Sequence, residues 1–157
     1  MHRHRSGGFT ILELLVAISI TVVIGAFALP EVGAWYEILD KQNAQIQVLQ
    51  DLRLAQATTV EQGCQGVLTL DAAGESYTFG CDYVPFDSSP PIAADSNLFT
   101  STLPPKVTIS VDDQILFNSR GQIVDDQGFL SSRSVTLSYN ESPFLSGTLS
   151  ATGHFDF

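Results

Sequence analysis

The sequence predicts an α+β fold, with one long N-terminal spine helix packed on a β-rich globular head. Three observations predict it. From Phe9 to Leu29 only Glu13 carries a charge, and as a helix that run is roughly 30 Å long, enough to cross a bilayer's hydrocarbon core. From Glu31 to about Gln62 the pattern turns amphipathic. Beyond Gly63, short apolar runs alternate with turn residues, as strands and their connections do.

The first helix holds the residue that needs explaining. A carboxylate inside an apolar run costs about 2.5–3.5 kcal/mol on insertion scales, so Glu13 needs a partner. Ahead of it lies a short basic leader, Met1-His2-Arg3-His4-Arg5-Ser6-Gly7-Gly8, followed by Phe9-Thr10-Ile11-Leu12-Glu13-Leu14-Leu15. This arrangement resembles the class III signal of type IV pilins and pseudopilins. The resemblance implies a pilin fold, cleavage by a prepilin peptidase between Gly8 and Phe9, and methylation of the new N-terminus on Phe9. It also implies that Glu13, at the fifth mature position, pairs with the N-terminal amine of a neighbouring subunit and sets register in a filament. Cleavage creates a cation four residues before Glu13, and pairing offsets the cost of burying its charge.

Three other readings of the same stretch compete. A permanent membrane anchor fits the length but leaves Glu13 without a role. An ordinary secretory signal would use Ala26-Phe27-Ala28 as its cleavage site and start the mature chain at Leu29, but it would place Glu13 inside the apolar core of the signal. A buried helix of a soluble core would need polar periodicity after Glu13, which is missing.

In chain order, residues 1–8 form the leader, whose positive charge holds the N-terminus on the cytoplasmic side. Residues 9–30 form the transmembrane and filament-core half of the helix. Gly25 and Pro30 are its weak points; the family likeness implies local unwinding there during filament packing, and a simple kink at Pro30 is the alternative. Residues 31–62 form the amphipathic half, with Trp35, Ile38, Leu39, Ile46, Leu49 and Leu52 on one broad face and Gly63 as terminator. Trp35 and Tyr36 lie just past the apolar run, where they serve either as interfacial anchors or, for Trp35, as core.

The head is residues 63–157. Gly66–Asp71 and Ser76–Gly80 read as a hairpin turning at Ala72-Ala73-Gly74. Cys64 and Cys81 bracket it, and they are the two cysteines of the chain. The leader implies an oxidising compartment, so a Cys64–Cys81 disulfide is expected, contributing about 3 kcal/mol. Residues 85–105 contain five prolines and read as a long loop, packed down at Phe86, Ile92, Leu98 and Phe99. The last third reads as strands at Lys106–Val111, Gln114–Asn118, Gln122–Asp125, Ser134–Ser138, Gly147–Ala151 and His154–Phe157, with Gly121, Gly128, Gly147 and Gly153 at turns. Here Ile115-Leu116-Phe117-Asn118-Ser119-Arg120-Gly121 and Gly147-Thr148-Leu149-Ser150-Ala151-Thr152-Gly153 resemble the strand-turn signatures of GspH/FimT-type minor pilins and pseudopilins. The helical segment Asp51-Leu52-Arg53-Leu54-Ala55-Gln56-Ala57 also fits that subfamily.

Charge and side-chain chemistry narrow the function. Cleavage takes the formal charge from −10 to −12, because Arg3 and Arg5 leave and all 17 acidic residues stay. Such a surface repels phosphate backbones. The resemblance also implies a DNA-receptor branch, which uses basic residues after the final glycine. This chain has Gly153-His154-Phe155-Asp156-Phe157 there, so that alternative is disfavoured. No enzyme chemistry is expected: His154 is the one mature histidine, and Ser131, Ser132 and Ser134 have no base beside them. Asp112-Asp113 and Asp125-Asp126 read as solvated turns rather than calcium ligands, and no cofactor or metal is expected. The expectation is therefore a structural subunit, minor by resemblance, at a filament tip or in priming. Its expected partners are the peptidase, other subunits and the inner membrane before assembly, with the head in the periplasm.

Overall fold

Thr10 opens the first element. In the computed structural model, which describes residues 10–84 and 91–156 (the side chains of 27–31 excepted), its hydroxyl accepts the Glu13 N–H at 3.3 Å and caps α1, Ile11–Gln62. The helix runs unbroken through Gly25 and residue 30. It ends where the Gly63 N–H bonds back to the Thr59 carbonyl at 2.9 Å, with Gly63 at φ 65°, a left-handed cap that glycine adopts without a side-chain penalty. Cleavage at Gly8 and methylation of Phe9 rest on residues outside those described.

The chain divides into two compact units, Met1–Leu39 and Asp40–Phe157. In the first, the large apolar side chains from Ile11 to Ile24 are all more than half exposed. The hydroxyls in this run turn inward: Ser19 donates to the Leu15 carbonyl and Thr21 to the Ala17 carbonyl, each at 2.8 Å. Both polar groups are thereby satisfied within the helix. Among the described residues no helix is long and apolar enough to cross a membrane. The apolar run is described fully from residue 10 to residue 26, which falls short of the ~20 residues a span needs. Trp35 and Tyr36 are exposed, at 70% and 65%, so Trp35 is not core.

In the second unit, the packed face of α1 keeps Leu52 of the predicted apolar stripe but is otherwise set by residues outside it. The buried helical positions are Ala44, Val48, Leu52, Ala55 and Thr59, one stripe at spacings of four and three, while Ile46 is 54% exposed. Ile38 and Leu39, in the first unit, are exposed as well. Small residues set the contact because the helix lies close against the sheet. A Cβ at Gly66 would collide with the Thr59 hydroxyl and come within 2.9 Å of the Phe79 ring.

Among the described residues nine strands follow: β1 Gln65–Leu70, β2 Ser76–Asp82, β3 Ser96–Thr102, β4 Val107–Val111, β5 Ile115–Phe117, β6 Ile123–Val124, β7 Arg133–Tyr139, β8 Ser142–Leu149 and β9 Phe155–Asp156. They form an antiparallel five-stranded sheet in the order β3-β2-β1-β5-β6 and an antiparallel four-stranded sheet in the order β4-β7-β8-β9. The helical stripe shares one core with both, through Leu68, Tyr77, Phe79 and Phe117 of the first sheet and Ile109, Val135, Leu137 and Leu149 of the second. Each such side chain contributes about 1.5–3 kcal/mol when fully buried.

Three expectations are corrected here. The proline-rich stretch 85–105 contains a strand, β3, paired along β2. Its prolines fall outside Ser96–Thr102, and Phe99 stacks on Phe79 with ring centroids 5.4 Å apart. Just before it, Ile92 is buried, its backbone clamped by Gln114, which accepts the Ile92 N–H at 2.9 Å and donates to its carbonyl at 2.6 Å. Phe86 lies outside the described residues. Secondly, Gly147 is not a turn but the middle of β8, where a Cβ would sit 2.5 Å from the Asp156 carbonyl of β9. Thirdly, β8 begins at Ser142, because Asn140 and Glu141 form a two-residue hairpin loop with φ of 47° and 65°.

The Cys64–Cys81 disulfide is present, with Cα atoms 5.7 Å apart, tying the end of α1 to β2.

Candidate assembly site

The N-terminal segment carries the site that sequence points to, and its described part begins at the helix start. Glu13 occupies the third position of the first turn, three residues after the capping Thr10. Thr10-Ile11-Leu12-Glu13 is thus a Thr-x-x-Glu start signal, a local meaning of Glu13 that the pilin-like spacing masked. The positive end of the helix dipole also favours a carboxylate there. The side chain is exposed and makes no ion pair with a described residue. Around it, Ile11, Leu12, Leu14 and Leu15 offer apolar surface on every side of the first two turns. A single acid in a fully exposed apolar helix can either be hydrated or meet a cation on a partner; nothing within the described chain satisfies it.

A Cβ at Gly25 would meet open space, so no close neighbour among the described residues accounts for it.

The head contributes a second constellation. The two glycine-centred signatures, far apart in sequence, meet on one helical residue. Gln56 donates its side-chain amide to the carbonyls of Gly121 at 2.7 Å and Thr152 at 3.3 Å. Gly121 and Gly153 both adopt positive φ, 73° and 78°, and a Cβ on either would run into the Gln56 side chain. The signatures are therefore structural, docking both turns onto α1. Beside them, His154 Nε2 lies 3.4 Å from the Asp156 carboxylate.

Three of the remaining acidic candidates have local partners. Asp113 pairs with the buried Arg133 at 3.2 Å, Asp112 accepts the Ser134 N–H, and Asp125 accepts the N–H groups of Gln127 and Phe129. Among the described residues no group of three or more His, Cys, Asp or Glu could hold a metal ion. Deep in the core, Tyr77 donates to the Asp51 carboxylate at 2.7 Å. Burial first, and that carboxylate after it, push the phenol well above its ordinary range.

Residues 3–29 match the prokaryotic N-terminal methylation motif. The type IV minor pilin FimU of Pseudomonas aeruginosa superposes with a TM-score of 0.58 at 14% identity, over 76% of this chain and 89% of FimU. A second crystal form of FimU gives 0.55 at 14% identity, over 73% and 90%. The minor pseudopilin EpsH of the Vibrio cholerae type 2 secretion system gives 0.47 at 15% identity, over 74% and 93%. No curated protein matches the chain. The chain carries the N-terminal methylation motif of prepilins ahead of a head with the type IV minor pilin fold.

Proposed function

We propose that this protein is a structural minor subunit of a type IV pilus or a type II secretion pseudopilus, acting at the filament tip or in priming assembly. It is made as an inner-membrane precursor with its head in the periplasm, cut after Gly8 by a prepilin peptidase and methylated on Phe9. The observation that carries this reading is the methylation motif over residues 3–29 in the same chain as a minor-pilin head. The exposed apolar surface from Ile11 to Ile24 supports it, since such a surface needs lipid or neighbouring helices to cover it.

In this reading the helix exchanges lipid for neighbouring helices as the subunit enters the filament. Glu13 meets the new amine of an adjacent subunit's Phe9 and sets the axial register, while Gly25 and Pro30 allow α1 to loosen locally as it packs. DNA reception is not favoured, because Gly153 is followed by one histidine that faces Asp156 and by no arginine.

Immunoblotting of sheared surface filaments tests the proposal. The protein should appear in the sheared or cross-linked filament fraction of cells with an active prepilin peptidase and be absent from that fraction when the peptidase is inactivated. Equal recovery from both would contradict it.

A further inference from the structure

Sequence shows no cluster of positive charge in this acidic chain, but the fold brings two of its basic side chains to one cavity. Arg53 of α1 and His154 both line a hollow of about 170 Å³ whose other walls are Leu49, Leu52, Leu149, Gly153 and Phe155. We propose that this cavity binds a carboxylate carried by an apolar segment of a protein partner.

Size decides what kind of ligand enters. Sites for drug-sized molecules span ~300–1,000 Å³, so this volume suits one side chain rather than a cofactor. Charge decides its sign. Arg53 is exposed and has neither ion pair nor hydrogen bond among the described residues, in a chain of formal charge −10. A guanidinium presents a planar fork that matches a carboxylate in two parallel hydrogen bonds. His154 adds a second donor; its ring also lies 3.4 Å from the Asp156 carboxylate, which is itself not part of the cavity wall.

The apolar walls decide the class of partner. Four leucine and phenylalanine walls reward a carboxylate with an apolar neighbour, as a peptide segment supplies. They offer nothing to a sugar-phosphate backbone, which the acidic surface repels as well. The cavity keeps its shape because Gly153 lacks a Cβ, which would strike the Gln56 amide.

The site is tested on the full chain in detergent micelles by nuclear magnetic resonance of the His154 ring and the Arg53 guanidinium. The probes are the blocked tripeptide acetyl-Leu-Glu-Leu-amide, its glutamine counterpart, and a short DNA duplex. The glutamate peptide should shift both signals saturably, with the glutamine peptide roughly tenfold weaker or worse. Arg53→Gln, a change at an exposed position, should abolish the His154 shift while leaving the rest of the spectrum unchanged. Equal binding of the two peptides, no shift at all, shifts that survive Arg53→Gln, or the same shifts produced by DNA would each overturn the proposal. The measurement needs no filament, so its failure leaves the assembly reading intact, and failure of assembly leaves this site intact.

Discussion

The Gln56 amide donates to the Gly121 carbonyl at 2.7 Å, and this one contact docks the β5–β6 turn onto the helix. The same nitrogen reaches Thr152 at 3.3 Å, so a single side chain holds two turns that come from different sheets.

Gln56→Ala should lower unfolding free energy by about 1–2 kcal/mol, read from denaturant midpoints, since two carbonyls lose a donor. Gly153→Ala should cost at least as much, because φ of 78° is strained for alanine and its Cβ would strike Gln56. The double mutant should cost less than the sum of the two, as the shorter side chain removes the clash. Strict additivity would show that Gln56 does not fill the space under Gly153.

Removing the Cys64–Cys81 bridge by replacing both residues with serine should cost about 3 kcal/mol, for a sequence separation of 17. The check is thermal unfolding of wild type and variant under oxidising and reducing conditions. A variant as stable as the oxidised wild type would contradict the structural role given to the bridge.

Tyr77 gives the fold an alkaline limit. Its phenol ionises above the ordinary value of 10 when folded, because burial disfavours the phenolate, and near 10 when unfolded. The stability it contributes is therefore complete below pH 10 and falls as pH rises beyond it, where the unfolded chain loses the proton first. Tyr77→Phe should reduce this alkaline decline and, by leaving the Asp51 carboxylate without its donor, cost about 1–3 kcal/mol near neutral pH. Denaturant titrations below and above pH 10 read both effects.

Glu13→Ala should leave precursor cleavage intact and reduce the amount of subunit in sheared filaments, because the partner's amine then has no carboxylate to meet. Wild-type incorporation would remove the register role. Thr10→Val serves as a control for the capping alternative: it removes the helix cap but keeps the carboxylate, so it should fray the first turn by about 1 kcal/mol without abolishing assembly.

What was legible in the sequence follows the physics of each signal. The spine helix and its stop at Gly63 were readable because charge, periodicity and a left-handed cap agree. The hairpin of β1 and β2 and the pairing of Cys64 with Cys81 were readable because turn residues and cysteines flank short runs. The packed face of α1 was legible only at Leu52, because Ala44 and Ala55, both fully buried, contribute little to any apolar pattern. Strand β3 was hidden by the prolines around it, and the β7–β8 turn by a glutamate at positive φ, a conformation that residue type seldom signals. At the assembly site the leader spacing was legible, and so in principle was the Thr10 cap. The convergence of Arg53 with His154 was not, because only the docking of the last turn onto α1 brings them to one cavity.

The most direct test of the central claim is the intact mass and N-terminal sequence of the mature protein isolated from its native host. The predicted result is a chain that begins at Phe9 and carries one added methyl group. A chain beginning at Leu29, or one retaining Met1, would contradict prepilin processing and with it the filament function.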